Sequence, residues 1–483
     1  MAMATTLAAC SSDDNDNTPP STDNEKYTWS MNGGFKACDH ILFDANGNED
    51  ADGTVIGNGD QNFVFNGKQT LKKGTYELKG WVYIAEGAEL TIPAGTIIKG
   101  DKQTKAALIT EPGGKLIAQG TQTEPIVFTS EQAVGSRKPG DWGGIILCGK
   151  APNNNGVLNQ QIEGGPRTKH GGSDANDNSG VLSYVRIEFA GYPFEKDKEI
   201  NGLTLGSVGS GTKIDHVQVS YSNDDSFEWF GGTVNCDHLI AFHGWDDDFD
   251  TDNGFSGNVS YGLSVRNSRV ADASQSNGFE SDNNADGSTA TPYTTANFSN
   301  MTFLGPKAFD ANFDNTKDYI NGGGINPENG SSMGLFQAAM HIRRNSRLSC
   351  TNSVFIGWPI GIILDNQKGD TQGAATQGLL KLNNLHFAGM TIVGSDFNKI
   401  YKDNLVTDYA NQTIDETKPS FSSSFFNLAA NNNSTTNWTA MSWNGIASII
   451  EANRKVSTTA GAFADGNDWT AGWANFDPEN TKY

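Results

Sequence analysis

Three short stretches of this sequence place a carboxylate directly after a phenylalanine: Phe227-Glu228, Phe249-Asp250 and Phe279-Glu280. They lie 22 and 30 residues apart (249 − 227 and 279 − 249). Side chains alternate between the two faces of a strand. If the phenylalanines stack inside a coiled chain, their neighbours form outward columns. One column reads Glu228, Asp250, Glu280, and the next reads Phe230, Asp252, Asp282. Asp248 flanks them, and Asp224, Asp225, Asp246 and Asp247 lie on the turns leading in. The next rung is expected at Met340-His341-Ile342-Arg343-Arg344, because Leu364-Asp365 follows 22 residues after Ile342-Arg343. That register puts Arg343 over Glu280 and Asp365 over Arg343, with His341 beside them. Phe309-Asp310 is the competing rung, but the stretch 306–338 reads as a surface insertion, with Asn321-Gly322-Gly323-Gly324 and Pro327 in it.

Carboxylates repeated at the ~4.8 Å spacing of stacked strands repel by roughly 3.5 kcal/mol per pair at an effective dielectric of 20. Such a column needs a cation, an arginine or protonation of alternate members. Oxygen donors converging from adjacent turns suit Ca²⁺, which takes six to eight oxygens, better than zinc. The expected metal ligands are Glu228, Asp248, Asp250, Asp252, Glu280 and Asp282; the competing reading is a solvated acidic face with Asp and Asn as turn residues. No EF-hand is present, since the run from Asp246 to Gly254 lacks a glutamate at its twelfth position. Trp142, Trp229, Phe230, Trp245 and Trp358 could offer flat surfaces to sugar rings, although aromatics in a coiled sheet more often stack internally. The expected ligand-binding set is Trp229, Phe230 and Trp245 with Arg343. Nothing singles out a Ser-His-Asp or Cys-His site, or a phosphate-binding glycine loop.

The elements that must carry these residues are short. Trp81–Ile84, Leu90–Ile92, Thr96–Ile98, Ala107–Ile109, Lys115–Ile117 and Ile126–Phe128 are β-rich runs broken by Gly, Asn, Asp and Pro, and helical periodicity is nearly absent. The pattern predicts an all-β chain, a single-stranded right-handed parallel β-helix with N- and C-terminal caps. The expected layout is a tether over 11–26, an N-terminal cap over 27–79 and the coil over 80–394. Last turns and a C-terminal cap follow over 395–483, with one short helical pattern from Trp443 to Lys455. At ~25 residues per turn, roughly 370 residues of coil and last turns come to about fifteen turns and a rod of ~70 Å. Cys38, Cys148, Cys236 and Cys350 are expected as buried free thiols, because the two at similar points of the repeat sit several turns apart.

Composition bounds the partners. The 483 residues carry 34 Lys plus Arg against 56 Asp plus Glu, a formal charge of −22, which argues against nucleic-acid binding. No apolar run approaches the ~18 residues of a membrane-spanning helix; the longest, from Val354 to Leu364, is broken by Gly357, Pro359 and Gly361. At the start, Leu7-Ala8-Ala9-Cys10 precedes an acidic stretch, Ser11-Ser12-Asp13-Asp14. This resembles a bacterial lipobox within a truncated signal over residues 1–10. It implies acylation at Cys10, a lipid anchor and display on the outer face of an outer membrane.

Longer motifs carry a wider resemblance. Leu90-Thr91-Ile92-Pro93-Ala94-Gly95-Thr96, Pro139-Gly140-Asp141-Trp142-Gly143-Gly144, Asp224 to Gly232, Asp246 to Asp252, Ser276 to Asp282 and Trp469-Thr470-Ala471-Gly472-Trp473 resemble secreted β-helix lipoproteins of Bacteroidota. The likeness implies fold and location. The Asp-rich turns are also similar to those of calcium-dependent β-helix pectate lyases. Where such enzymes set a lysine after Asn-Gly-Phe, this chain has Asn277-Gly278-Phe279-Glu280. The function expected is a non-catalytic, calcium-binding surface module for polysaccharide or an outer-membrane protein. The alternative is a calcium-dependent polysaccharide lyase using Arg343, His341 and Glu280, or a glycoside hydrolase, since stacked acids approach the retaining separation.

Overall fold

The structure, a computed structural model, describes residues 26–158, 160–163, 167–195, 198–395, 432–435 and 437–483. Cys10 and the tether up to residue 25 lie outside the described residues. The chain coils with three short strands per turn. Ala107–Thr110 belongs to a 13-stranded sheet, while Lys115–Gln119 and Ile126–Ser130 belong to an 18-stranded one. Successive turns pair in parallel and without slip: Leu108 sits between Val82 and Ile145. Runs of four or five β-prone residues cannot double back as hairpins when Gly and Asn turns redirect them after each run, so each strand finds its partner one coil away. The result is the parallel β-helix expected from the pattern, with Leu90, Leu116, Leu182, Leu203 and Leu239 among its fully buried interior residues.

In the 18-stranded sheet, two strands of early coils fuse into one bent strand in later ones. Gly180–Glu188 pairs with Lys115–Gln119 through its first half and with Ile126–Ser130 through its second. The bend falls on Tyr184, and the same corner is taken by His216, His238, Tyr261, Asn300, Asn352 and Asn384. All seven have φ between 51° and 56°, a left-handed conformation that costs most residues about 1 kcal/mol or more.

The layout differs from the expected one in three respects. Parallel pairing begins at Phe35–Cys38, so much of 27–79 is already coil, and the antiparallel strands Trp29–Asn32 and Leu42–Phe43 close that end, one on each sheet. Of the 13 strands in the first sheet, all but Trp29–Asn32 pair in parallel, giving twelve coils among the described residues where about fifteen are expected. Long excursions take up the remaining length: one between Cys148 and Gly180 with a small hairpin at Gln160–Gln161 and Lys169–His170, and one between Leu304 and Ala338. Finally, residues 437–483 do not close the far end. They run back along the outside of the 18-stranded sheet, through the helix Gly445–Val456, until Tyr483 reaches Glu188 and Lys99. The outer faces of Ile240, Phe242, Leu263, Val265, Val354 and Ile356 are apolar, and Ile449, Phe463 and Trp473 cover them. The four described cysteines are buried free thiols.

Candidate acidic site

Phe227, Phe249 and Phe279 stack inside the coil at centroid distances of 5.3 and 5.9 Å. Their strands are Phe227–Phe230, Phe249–Asp252 and Phe279–Ser281, and the pairing aligns Glu228 with Asp250 and Asp250 with Glu280. The ladder read from spacing is therefore present. The next rung is Ala338–Ile342, as expected, but its register is offset by two residues. His341 stands over Glu280, and Ile342 over Ser281. Arg343 thus faces Asp282, with its Nε 2.8 Å from Asp282 Oδ1, and its guanidinium also contacts Glu280 Oε1. Arg344 adds a second contact to Asp282, at 2.7 Å. Leu364 pairs with Ile342, so Asp365 follows over Arg343 as expected, but its carboxylate turns to His341, which lies 3.4 Å from both Glu280 and Asp365.

Two carboxylate triads form along the ladder, Asp225–Glu228–Asp250 and Asp247–Asp250–Glu280, and a third, Asp224–Asp225–Asp246, lies on the turns leading in. In each, one oxygen from every residue lies within 4.8 Å of the others. Asp250 belongs to both ladder triads, and its Oδ1 is buried without a hydrogen-bond partner among the described residues. The lead-in turns are held in place by the backbone. The Asp247 amide donates to Asp225 Oδ1 at 2.8 Å, and the Asn277 amide donates to Asp247 Oδ1. Asn201 Nδ2 donates to Glu228, and the chain between Cys148 and Gly180 brings Glu163 beside the same carboxyl.

Crowding sets the protonation. Burial, then Glu280 and Asp247, push Asp250 well above the usual carboxylate range. Burial, then Asp247, do the same for Asp225; burial, then Glu163, do it for Glu228. Asp247 and Asp252 rise to about 8, through burial and then Glu280 for the first and Asp282 for the second. Glu280 goes the other way. Burial alone would raise it, but Arg343 and then His341 outweigh that and hold it down to about 2. Without a cation these ladder carboxyls thus retain protons that free carboxylates shed, while Glu280, paired with Arg343, is held low.

Not every expected residue reaches this face. Asp248 turns into the coil, where it bonds Arg266 at 2.9 Å and contacts Ser264, and both partners of the ion pair have fully buried side chains. It precedes its strand on a turn, where alternation of faces lapses. Trp229 and Trp245 are fully buried. Trp229 stacks on Phe249 and Phe255, which follows from its sharing parity with Phe227. Phe230 is covered too, against His170 and Ile162. None of the three can meet a sugar ring. Asp252 and Asp282 flank the triads, on the arginine side. Asp225, Asp247 and Glu163 were absent from the expected ligand set. The first two were detectable, since Asp225 and Asp247 repeat at the same 22-residue interval as Phe227 and Phe249.

The donor set fits a hard divalent cation: all ligands are oxygens, they converge from adjacent coils, and one buried oxygen has no partner. Asp225, Glu228, Asp247, Asp250 and Glu280 are the residues that would hold it. Arg343, pinned between Glu280 and Asp282, and His341, 1% exposed between Glu280 and Asp365, are each engaged by two carboxylates. No curated protein and no solved structure matches the chain. The family model described as a pectate-lyase-like β-helix domain matches residues 64–474, from the second coil of the first sheet into residues 437–483, the strap over the 18-stranded sheet. By that match and by its parallel coil, the chain belongs to the pectate-lyase-like β-helix domain family.

Proposed function

We propose that the protein binds acidic polysaccharide through Ca²⁺ held on the carboxylate ladder, without cleaving it, while anchored at a cell surface through Cys10. The buried, unpartnered Asp250 Oδ1 at the junction of two triads carries the reading. An oxygen so placed is stabilised by a cation more than by water it cannot reach. Family membership supports a carbohydrate-related role, and a cation bound among carboxylates keeps positions open to a uronate carboxylate. Absence of turnover follows from the bases. A lyase needs an unprotonated group within hydrogen-bond reach of the carbon acid. Burial alone would lower Arg343, but its ion pairs with Asp282 and Glu280 outweigh that and raise it further above its already high value. Burial alone would lower His341, but its contacts with Asp365 and Glu280 outweigh that and raise it.

The test is affinity electrophoresis of the full chain through gels containing polygalacturonate or alginate. Retention is expected with millimolar Ca²⁺ and is expected to vanish with EDTA or in Asp250→Asn, with no ultraviolet absorbance from unsaturated products. Retention indifferent to calcium overturns the metal reading. Sustained product formation that disappears in Arg343→Ala establishes the lyase instead.

A further inference from the structure

A second cluster of ligating side chains sits at the left-handed corner of the 18-stranded sheet, interleaved with the acidic ladder in sequence but carried by the other sheet and built from different donors. Asp215-His216 and Asp237-His238 are the same dipeptide one coil apart, and the pairing aligns Asp215 with Asp237. The two imidazoles stack at 4.6 Å with an interplanar angle of 6°. Tyr184 lies on one end of the stack at 4.3 Å and Tyr261 on the other at 5.0 Å. Trp473 and Trp469 abut the histidine rings edge-on, at 5.6 Å from His216 and 4.8 Å from His238.

Three later coils place Asn at this corner, the residue that, with Asp, best tolerates left-handed backbone after glycine. Histidine at two successive corners is therefore not what the backbone demands. Ring nitrogens of His216 and His238 and a carboxylate oxygen of Asp237 all lie within 4.8 Å of one another. Asp215 is already engaged by Lys213 at 2.9 Å and Ser183 at 2.7 Å, and its Oδ1 lies 2.9 Å from His216 Nδ1. That is the carboxylate contact that fixes the orientation of a ligating imidazole. The histidine side chains are 20% and 22% exposed and Asp237 is 46% exposed. An open depression of about 560 Å³ borders His216 and Asp237, with Asp215 and Asn235 also in its lining.

We infer that His216, His238 and Asp237 form a second metal site, selective for a divalent transition ion of the zinc class. Two imidazole nitrogens and one carboxylate are the donors such an ion prefers, with a fourth position left to water from the depression, whereas Ca²⁺ prefers oxygens alone. Metal–nitrogen distances of ~2.0–2.1 Å in a tetrahedral set bring the two nitrogens to about 3.4 Å. Loading therefore tilts the stacked rings together at one edge by about an ångström, and their partly exposed positions leave room for it.

The test is calorimetric titration of untagged, chelator-stripped protein with Zn²⁺ in millimolar Ca²⁺, which occupies the acidic ladder, alongside Co²⁺ as a visible-absorbing probe. One equivalent is expected to bind. His216→Asn and His238→Asn, which reuse the residue found at three other corners, should each weaken binding at least about ten-fold and abolish the cobalt spectrum. Asp250→Asn should leave both unchanged. Unaltered zinc binding in both histidine variants, with melting curves matching the wild type, overturns the site. Crystals grown with zinc read it without any substitution. An anomalous peak in contact with both histidines supports the site, and a zinc peak found only elsewhere overturns it.

Discussion

Asp250 is the residue on which the calcium reading turns, and its neighbours make its behaviour testable without a ligand. In the calcium-free folded protein its carboxyl keeps a proton that the unfolded chain releases near the ordinary value of ~3.9. Asp250→Asn supplies that neutral state permanently. It should therefore raise calcium-free stability by roughly 1–3 kcal/mol at neutral pH, while erasing any stabilisation by Ca²⁺. Thermal melts with and without chelator check both halves. The pH dependence has a definite sign. Asp247 and Asp252 rise to about 8, so the stability they contribute is fully present below pH ~4 and is lost as pH climbs through about 8. Buried His170 and His243, both held at about 3 by burial, act oppositely below pH ~6.5. Comparing wild type with Asp252→Asn cancels the histidines. The wild type should lose stability relative to the variant as pH rises from 5 to 9, and Ca²⁺ should stabilise more at pH 8 than at pH 5. Parallel curves would contradict the assignment of protons to this face.

Among the elements, what could be read from the sequence was parity more than register. The intervals between Phe227, Phe249 and Phe279 disclosed the coil and its acidic column. They could not separate His341 from Arg343 as the residue over Glu280, because a slip of two keeps both on the same face. Trp229 shares parity with Phe227, so its burial was legible even though its ring suggested a sugar platform. The inward turn of Asp248 was not, since its partner Arg266 is recruited from another side of the coil. The strap had a signal that went unused: Leu239-Ile240-Ala241-Phe242 is apolar on both faces, as a strand covered on both sides must be. Two predictions belong to this scale. Trp473→Ala, at a fully buried position against the outer face of the sheet, should cost about 3–5 kcal/mol in chemical denaturation. Arg266→Met should cost a similar ~3–5 kcal/mol by stranding Asp248 inside the coil, and adding Asp248→Asn should restore part of it. A loss below about 1 kcal/mol in either single variant would show that the contact is not formed in solution.

At the scale of the molecule, the twelve coils among the described residues, stacked at ~4.8 Å, span roughly 55 Å with one acidic wall and one wall covered by residues 437–483. A chain of net charge −22 repels an acidic polymer unless a cation intervenes, so the proposed binding of acidic polysaccharide calls for a bridging cation on grounds of charge as well. Anchoring through Cys10 would hold such a wall at the surface. In the native host, Cys10→Ser is expected to move the protein from the membrane fraction to the medium, and retention of the variant would rule out this anchor. The most direct measurement of the central claim is calorimetric titration of Ca²⁺ into chelator-stripped protein at pH 8, beside Asp250→Asn. Saturable binding in the wild type, accompanied by proton release and absent from the variant, is the result predicted. Equal heats from both proteins, or no saturable binding up to millimolar Ca²⁺, would contradict it.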